Sequence, residues 1–164
     1  MIDAQEQRVY DVLAELGIPF ERHEHPPVFT VEEAAIHWAG IEAAHCKNLF
    51  LRNKKGTIHY LVILGHTKQA DLNRLAGQLG DDRLSFASPE RLMTHLGLTP
   101  GAVSPFGLIN DRGKQVRVVL DADLTETRRI AFHPNVNTAT IVLATVDFLR
   151  FFTWCGNTVR YVKL

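Results

Sequence analysis

Apolar residues fall into short patterned runs along the chain, and the spacing within each run predicts an element. Val9, Val12, Leu13 and Leu16 make a stripe of helical period, so Asp3 to Leu16 is predicted as a helix that Gly17 ends. Asp3 with Glu6 three residues on has the form of a capping box. A short strand is expected near Phe20–His25, stopped by Pro26 and Pro27. Thr30 with Glu33 repeats the box and opens a helix to about Trp38. The clearest hairpin follows: Leu49-Phe50-Leu51, a turn at Asn53-Lys54-Lys55-Gly56, and a return strand from Ile58 to Leu64. Asp71 caps a helix carrying Leu72, Leu75 and Leu79, and Ser88 before Pro89 opens another. Gly97 to Gly107 is expected to be a Gly/Pro loop. Val116–Leu120 and Ile141–Ala144 are β-rich apolar runs, expected as central strands. Thr145 is expected to cap a last helix to about Trp154, and Thr158–Val162 a closing strand.

Single helices interspersed with strands and one hairpin argue for a mixed sheet rather than a doubly wound parallel one. The fold class is therefore α/β of the α+β kind. With 164 residues, no linker-like stretch and no internal repeat, the chain is expected to be one domain, 1–164. No GxGxxG or Walker-type loop supports a nucleotide-cofactor fold.

Composition narrows the function classes. Hydrophobic residues make up 46% and charged residues 22%, ordinary for a globular protein rather than a disordered one. No apolar run approaches the roughly 20 residues of a spanning helix. The polar start MIDAQEQRVYDVL lacks a signal peptide's basic head and apolar centre. A full-length, cytoplasmic protein without membrane contact is expected. Eighteen basic and eighteen acidic residues balance to a net charge of zero, which argues against broad nucleic-acid binding but leaves room for a local patch. Arg52, Lys54, Lys55, Lys68 and Arg74 are the candidate cations for such a patch. Cys46 and Cys155 form neither a disulfide framework nor a CxxC pair. The eight histidines show no HExxH spacing, and His23-x-His25 alone is a weak metal seed, so no metal or other cofactor is expected. Cys46 beside Lys47 invites a nucleophile reading, yet such a cysteine is more often a small buried residue. No GxSxG elbow is present.

Three segments place polar or special residues in apolar surroundings. In His45-Cys46-Lys47-Asn48, a lysine at the entry to a buried strand can hold a cation toward a phosphate or a developing oxyanion; an ordinary surface lysine is the plainer alternative. In Gly101-Ala102-Val103-Ser104-Pro105, glycine admits a close backbone approach and free N–H groups can stabilise an oxyanion; an ordinary connection is equally compatible. In His133-Pro134-Asn135-Val136-Asn137, a loop between strands carries an imidazole and two amides, or is simply a Pro-Asn turn. Phe29 and Trp38 could stack on a base or pack in the core.

These segments in order, HCKNLFLRNKKG at 45–56, LSFASPERLMTHLGLTPGAVSPFGLIND at 84–111, VRVVLDADL at 116–124 and FHPNVNTATIVL at 132–143, resemble the YbaK/ProX family of aminoacyl-tRNA deacylases. The family is itself similar to the editing insertion of bacterial prolyl-tRNA synthetase. Likeness extends over roughly residues 20 to 150 and is strongest to free-standing deacylases of alanyl-tRNA(Pro). It implies a partly barrel-like mixed sheet with surrounding helices and a hydrolase that needs no cofactor. The substrate implied is a mischarged tRNA, held by its acceptor end; related proteins clear cysteinyl- or seryl-tRNA, and a non-catalytic tRNA-binding module is a further alternative. Prolyl-tRNA synthetase is an expected partner and the protein an expected monomer. Carried over residue by residue, the catalytic positions are Lys47, Gly101 and His133. Substrate-binding positions are Asn48, Ala102, Pro105 and Asn135, with Phe29 and Ile36 as apolar pocket wall.

Overall fold

The computed structural model describes residues 2–164. Five α-helices, α1 (Ala4–Glu15), α2 (Val31–Trp38), α3 (Leu72–Leu79), α4 (Pro89–Leu96) and α5 (Thr145–Cys155), accompany eight strands. The strands are β1 (Glu21–Glu24), β2 (Ala44–Arg52), β3 (His59–Gly65), β4 (Ser85–Phe86), β5 (Arg117–Asp121), β6 (Arg129–Phe132), β7 (Ala139–Ala144) and β8 (Val159–Val162). They form one mixed sheet in the order β1-β7-β6-β2-β3-β5-β8, with β4 pairing β2 off that path. The sheet is open, ending at β1 and β8, so the barrel-like arrangement stops short of closure. No described helix is long and apolar enough to cross a membrane.

The core lies on both faces of β3, whose His59, Tyr60, Leu61, Val62, Ile63 and Leu64 are all buried. Leu61 and Ile63 meet Phe106, Phe132, Phe148 and Phe151 on one side. Tyr60, Val62 and Leu64 meet Leu75 and Val119 on the other. A strand buried on both faces reads as a continuous apolar run, which is why β3 is plain in the sequence.

The predicted caps differ in detail. Asp3 caps α1 by accepting from Gln5 N (2.7 Å), but Glu6 does not complete the box. Its carboxylate is buried and accepts from the Tyr10 hydroxyl and from Arg22 Nε (2.7 Å) of β1, a stronger use for a charge than an exposed N–H. Thr30 accepts from Glu33 N (3.1 Å), and Glu33 reaches back one residue further than the box predicts, to Phe29 N (2.8 Å). Thr145 is the first residue of α5 rather than its cap; its hydroxyl meets that of Thr127 (3.1 Å). The loop from Gly97 to Gly107 folds into two 3₁₀ turns, Pro100–Ala102 and Pro105–Asn110. β2 begins at Ala44, five residues ahead of its apolar run, β7 begins at Ala139, two residues ahead of the expected Ile141, and β4 and β6 are strands that the sequence pattern does not announce.

Candidate active site

The pocket arises where the sheet is interrupted along one edge of β2. In the β2–β3 ladder His66 N donates to His45 O (2.9 Å) and Asn53 N to Ile58 O (3.0 Å), so odd-numbered residues of β2 turn their backbone groups toward β3. Even-numbered residues turn toward the opposite edge, where Phe50 O accepts from Ala87 N (2.9 Å). That edge is covered by β6 at Ala44 and His45 and by β4 at Leu51 and Arg52. Between these contacts no described strand pairs with β2, and the alternation directs the backbone groups of Asn48 into the gap.

Helix α2 and two loops close over this gap and leave a cavity of about 190 Å³. Lys47, Asn48, Gly101, His133 and Phe29 all line it, together with Val28, Thr30, Val31, Ala34, Trp38, Cys46, Leu49, Pro100 and Val103. Sequence-distant segments thus converge on one hollow. The segment leading to α2 is laced to the 135–138 loop: His25 N donates to Thr138 O (3.0 Å), Val28 N to Asn137 O (3.2 Å), and Asn137 Nδ2 to Val28 O (3.2 Å).

Each polar group has a distinct setting. Lys47 is half-buried, opposite Leu64 in the ladder, and pairs with no carboxylate among the described residues. Asn48 Oδ1 is buried without a hydrogen-bond partner. His133 Nδ1 lies 2.9 Å from Ala139 O, so Nδ1 carries the proton and Nε2 is the acceptor. Burial lowers the His133 pKa, aided by nearby His25, against a smaller opposing effect of the Ala139 carbonyl. The ring is therefore neutral near pH 7.

Gly101 sits in the first 3₁₀ turn, which Ala102 N closes by donating to Thr99 O (2.9 Å). No side chain caps this turn, so the Gly101 N–H ahead of that bond lies outside the turn's own hydrogen bonding. A Cβ added at Gly101 would stand 3.2 Å from Phe29 Cδ1 and 3.5 Å from Asn137 Nδ2, so the missing side chain is what lets Phe29 lie against the turn. Phe29 itself is 71% exposed at the rim.

A wider groove of about 560 Å³ adjoins the pocket and shares Phe29, Pro100 and Gly101 with it. Ala102, Asn135 and Asn137 line this groove, not the pocket. Asn135 has φ of 63°, a left-handed conformation that asparagine tolerates, and its Oδ1 is buried without a partner.

Two expected positions stand elsewhere. Ile36 is 75% exposed and outside the pocket; it projects from the side of α2 away from Thr30, Ala34 and Trp38, and Val31 and Ala34 supply the wall instead. Pro105 is buried and begins the second 3₁₀ turn, where Ser104 accepts from Phe106 N (3.1 Å); it shapes the loop from beneath without lining the cavity. The apolar residues of α2 do not by themselves mark its pocket face, but the four-residue spacing of Thr30, Ala34 and Trp38 does.

Other candidates drop out. Cys46 lines the pocket, but burial, with Asp121 nearby, raises its thiol pKa strongly, which is the wrong direction for a nucleophile. Among the described residues no three or more His, Cys, Asp or Glu side chains are arranged to hold a metal. Lys68 is engaged by Asp121 and Asp123, each at 2.7 Å.

Residues 25–151 match the model of the aminoacyl-tRNA editing domain. The prolyl-tRNA editing protein ProX of Acetoanaerobium sticklandii is 43% identical over 160 residues, 96% of either chain. The multifunctional Ser/Thr-tRNA deacylase ProXp-y of Escherichia coli is 30% identical, covering 88% of this chain and 86% of that one. A solved structure proposed as a trans-editing enzyme for prolyl-tRNA synthetase superposes with a TM-score of 0.75 at 22% identity, over 100% of this chain and 99% of that one, which supports the fold. The chain belongs to the aminoacyl-tRNA editing domain family, the YbaK/ProX deacylases.

Proposed function

We propose that this deacylase acts in trans, as one editing domain, to hydrolyse the ester of alanine mischarged on proline tRNA. The observation that carries the reading is the convergence of Lys47, Asn48, Gly101 and His133 on a single small cavity at the interrupted edge of β2.

An aminoacyl ester is already activated, so hydrolysis requires a placed water and a stabilised oxyanion rather than a covalent intermediate. Gly101 N–H faces the carbonyl oxygen as charge builds on it. Lys47, without a carboxylate partner among the described residues, offsets that charge or holds the terminal phosphate. His133 Nε2 is an acceptor able to orient the water or a ribose hydroxyl, and Asn48 completes the polar wall. The adjoining groove, with Asn135, Ala102 and the exposed Phe29 ring, receives the terminal nucleoside. In this reading Val28, Val31 and Ala34 are the wall that admits a methyl group and collides with a prolyl ring. Excluding a larger group by collision is more effective than asking a large pocket to refuse a small one.

A second reading is that the acyl group carries a hydroxyl or thiol, as in seryl- or cysteinyl-tRNA. The Thr30 side of the pocket and the Ser/Thr-tRNA deacylase relative favour it. Association with prolyl-tRNA synthetase would deliver the substrate; deacylation needs only the monomer, in the cytoplasm. The test is hydrolysis of Ala-, Cys-, Ser- and Pro-tRNA(Pro) side by side. Alanine release at least tenfold faster than the others supports the first reading. Faster release of serine or cysteine replaces it with the second, and tRNA binding without release of any amino acid leaves a non-catalytic module.

A further inference from the structure

The far end of β2 carries a concentration of positive charge that the pocket does not use. Arg52 stands directly opposite His59 in the ladder, and its Nη2 donates to Lys54 O (3.3 Å). Arg91, from α4, donates from Nη1 to Gly56 O (3.1 Å) and contacts His59 Nε2 (3.1 Å). Its guanidinium lies so close to the turn that a Cβ on Gly56 would meet it at 2.8 Å. The His95 ring is 4.0 Å from that of His59. Lys54 and Lys55 are exposed at the tip of the turn.

None of these cations has a carboxylate partner among the described residues, whereas Arg22, Lys68, Arg129 and Arg150 do. Of the neighbouring acids, Asp81 accepts from the Tyr60 hydroxyl (2.6 Å), and Asp82 accepts from the backbone N of Lys54 (2.8 Å) at the turn without forming an ion pair with any of these side chains. His59 reports the resulting field. It is buried, and its pKa falls to about 4, first through desolvation and then through His95, Arg91 and Arg52. A neutral histidine thus floors a cluster whose arginines keep donors free for an anion.

We propose that Arg52, Arg91, Lys54 and Lys55 form a phosphate-binding track for the backbone of the tRNA acceptor end. The inference rests on the deacylase reading for the identity of the RNA. Position favours RNA over an acidic protein. The same strand carries Asn48 into the pocket, on the same face as Arg52 and four residues or about 13 Å from it, so an RNA whose 3′ end enters the pocket reaches this cluster within a few nucleotides. Guanidinium forks match phosphate oxygens in pairs, and lysines add point charges. The zero net charge of the chain makes such a local patch the available source of tRNA affinity.

The experiment compares the wild-type chain with the variant Arg52→Gln/Lys54→Gln/Lys55→Gln, leaving Arg91 and its packing in place. Binding of uncharged tRNA(Pro) is followed by fluorescence anisotropy across a salt series. We expect about tenfold weaker binding, and a salt dependence shallower by about 0.7–0.9 in log–log slope for each phosphate that the variant no longer neutralises. Hydrolysis of alanine esterified to a short 3′-terminal oligonucleotide should be unchanged, with the loss on full tRNA confined to KM. Unaltered affinity and slope would overturn the track. So would an equal loss on both substrates, which would assign the cations to the pocket. If the wild-type chain cleaves neither ester, the deacylase reading fails, while the salt slope, which needs no chemistry, still decides the track. A second pair, Arg91→Lys and Arg91→Gln, should separate in salt dependence: the lysine variant loses the fork and some affinity but keeps the wild-type slope, the glutamine variant shows a shallower slope, and equal slopes in the two would contradict the proposal.

Discussion

β2 and β3 are neighbours in one ladder, yet they serve different ends. β3 is His-Tyr-Leu-Val-Ile-Leu-Gly, with six of its seven residues buried and partners on both edges. β2 is Ala-His-Cys-Lys-Asn-Leu-Phe-Leu-Arg, with only Cys46, Phe50 and Leu51 buried and one edge uncovered in its middle. The contrast shows how a small fold holds reactive groups rigidly. A strand that forms the core fixes one edge of its neighbour, and the freed edge presents backbone and side chains to a cavity. The core is concentrated in β3 and the proposed chemistry draws on β2, so substitutions in the two strands should produce opposite phenotypes.

The largest effect that tests this contrast is Leu61→Ala. Leu61 is fully buried against the aromatic core, and truncating such a leucine costs about 2–5 kcal/mol. Denaturant unfolding should show that loss, with the turnover of the remaining folded protein close to normal. A loss below about 1 kcal/mol would break the comparison.

Gly101→Ala comes next. The new methyl group meets Phe29 at 3.2 Å and narrows the passage between pocket and groove. Turnover should fall by about tenfold, roughly 1.4 kcal/mol, with little change in unfolding midpoint. Wild-type turnover would remove this turn from the substrate's path. Adding Phe29→Leu sharpens the point: relief of the crowding should restore part of the loss.

The most gradual effect is on pH dependence. His45, His59 and His133 all have lowered pKa values, desolvation being the largest cause in each. The folded state therefore keeps them neutral where the unfolded chain, titrating near 6.5, binds protons. Stability should be flat above about pH 6.5 and fall as pH drops from there, down to about 4 for His59. Each such histidine adds about 1.4 kcal/mol per pH unit within its own window. Melting temperatures measured from pH 8 to pH 5 should show the decline, and His59→Gln should make it shallower. A profile that rises toward pH 5 would have the wrong sign.

The sequence carried the fold where burial is two-sided or where a cap has only one use. β3, the stripe of α1 and the Ser88-Pro89 start of α4 were plain for that reason. β6 and the first half of β2 were not, because their pairing is set by neighbours far along the chain rather than by their own alternation. The site shows the same division. Lys47, Asn48, Gly101 and His133 stood out as polar or glycine residues among apolar ones, and they share one cavity. Ile36 was misplaced because an eight-residue helix offers two apolar sides, and only packing decides which one faces the sheet. Glu6 reads as a cap until Arg22 and Tyr10, brought near by the fold, claim its carboxylate.

The most direct measurement is single-turnover hydrolysis of alanyl-tRNA(Pro) by wild type and Lys47→Ala, with unfolding followed on the same samples. Among the described residues the half-buried lysine has no carboxylate partner to leave behind, so the free energy of unfolding should stay within about 0.5 kcal/mol of wild type. The rate should fall by about a hundredfold or more, the usual consequence of losing one group that stabilises an oxyanion. An unchanged rate, or a rate lost only in step with stability, would contradict the assignment of chemistry to β2.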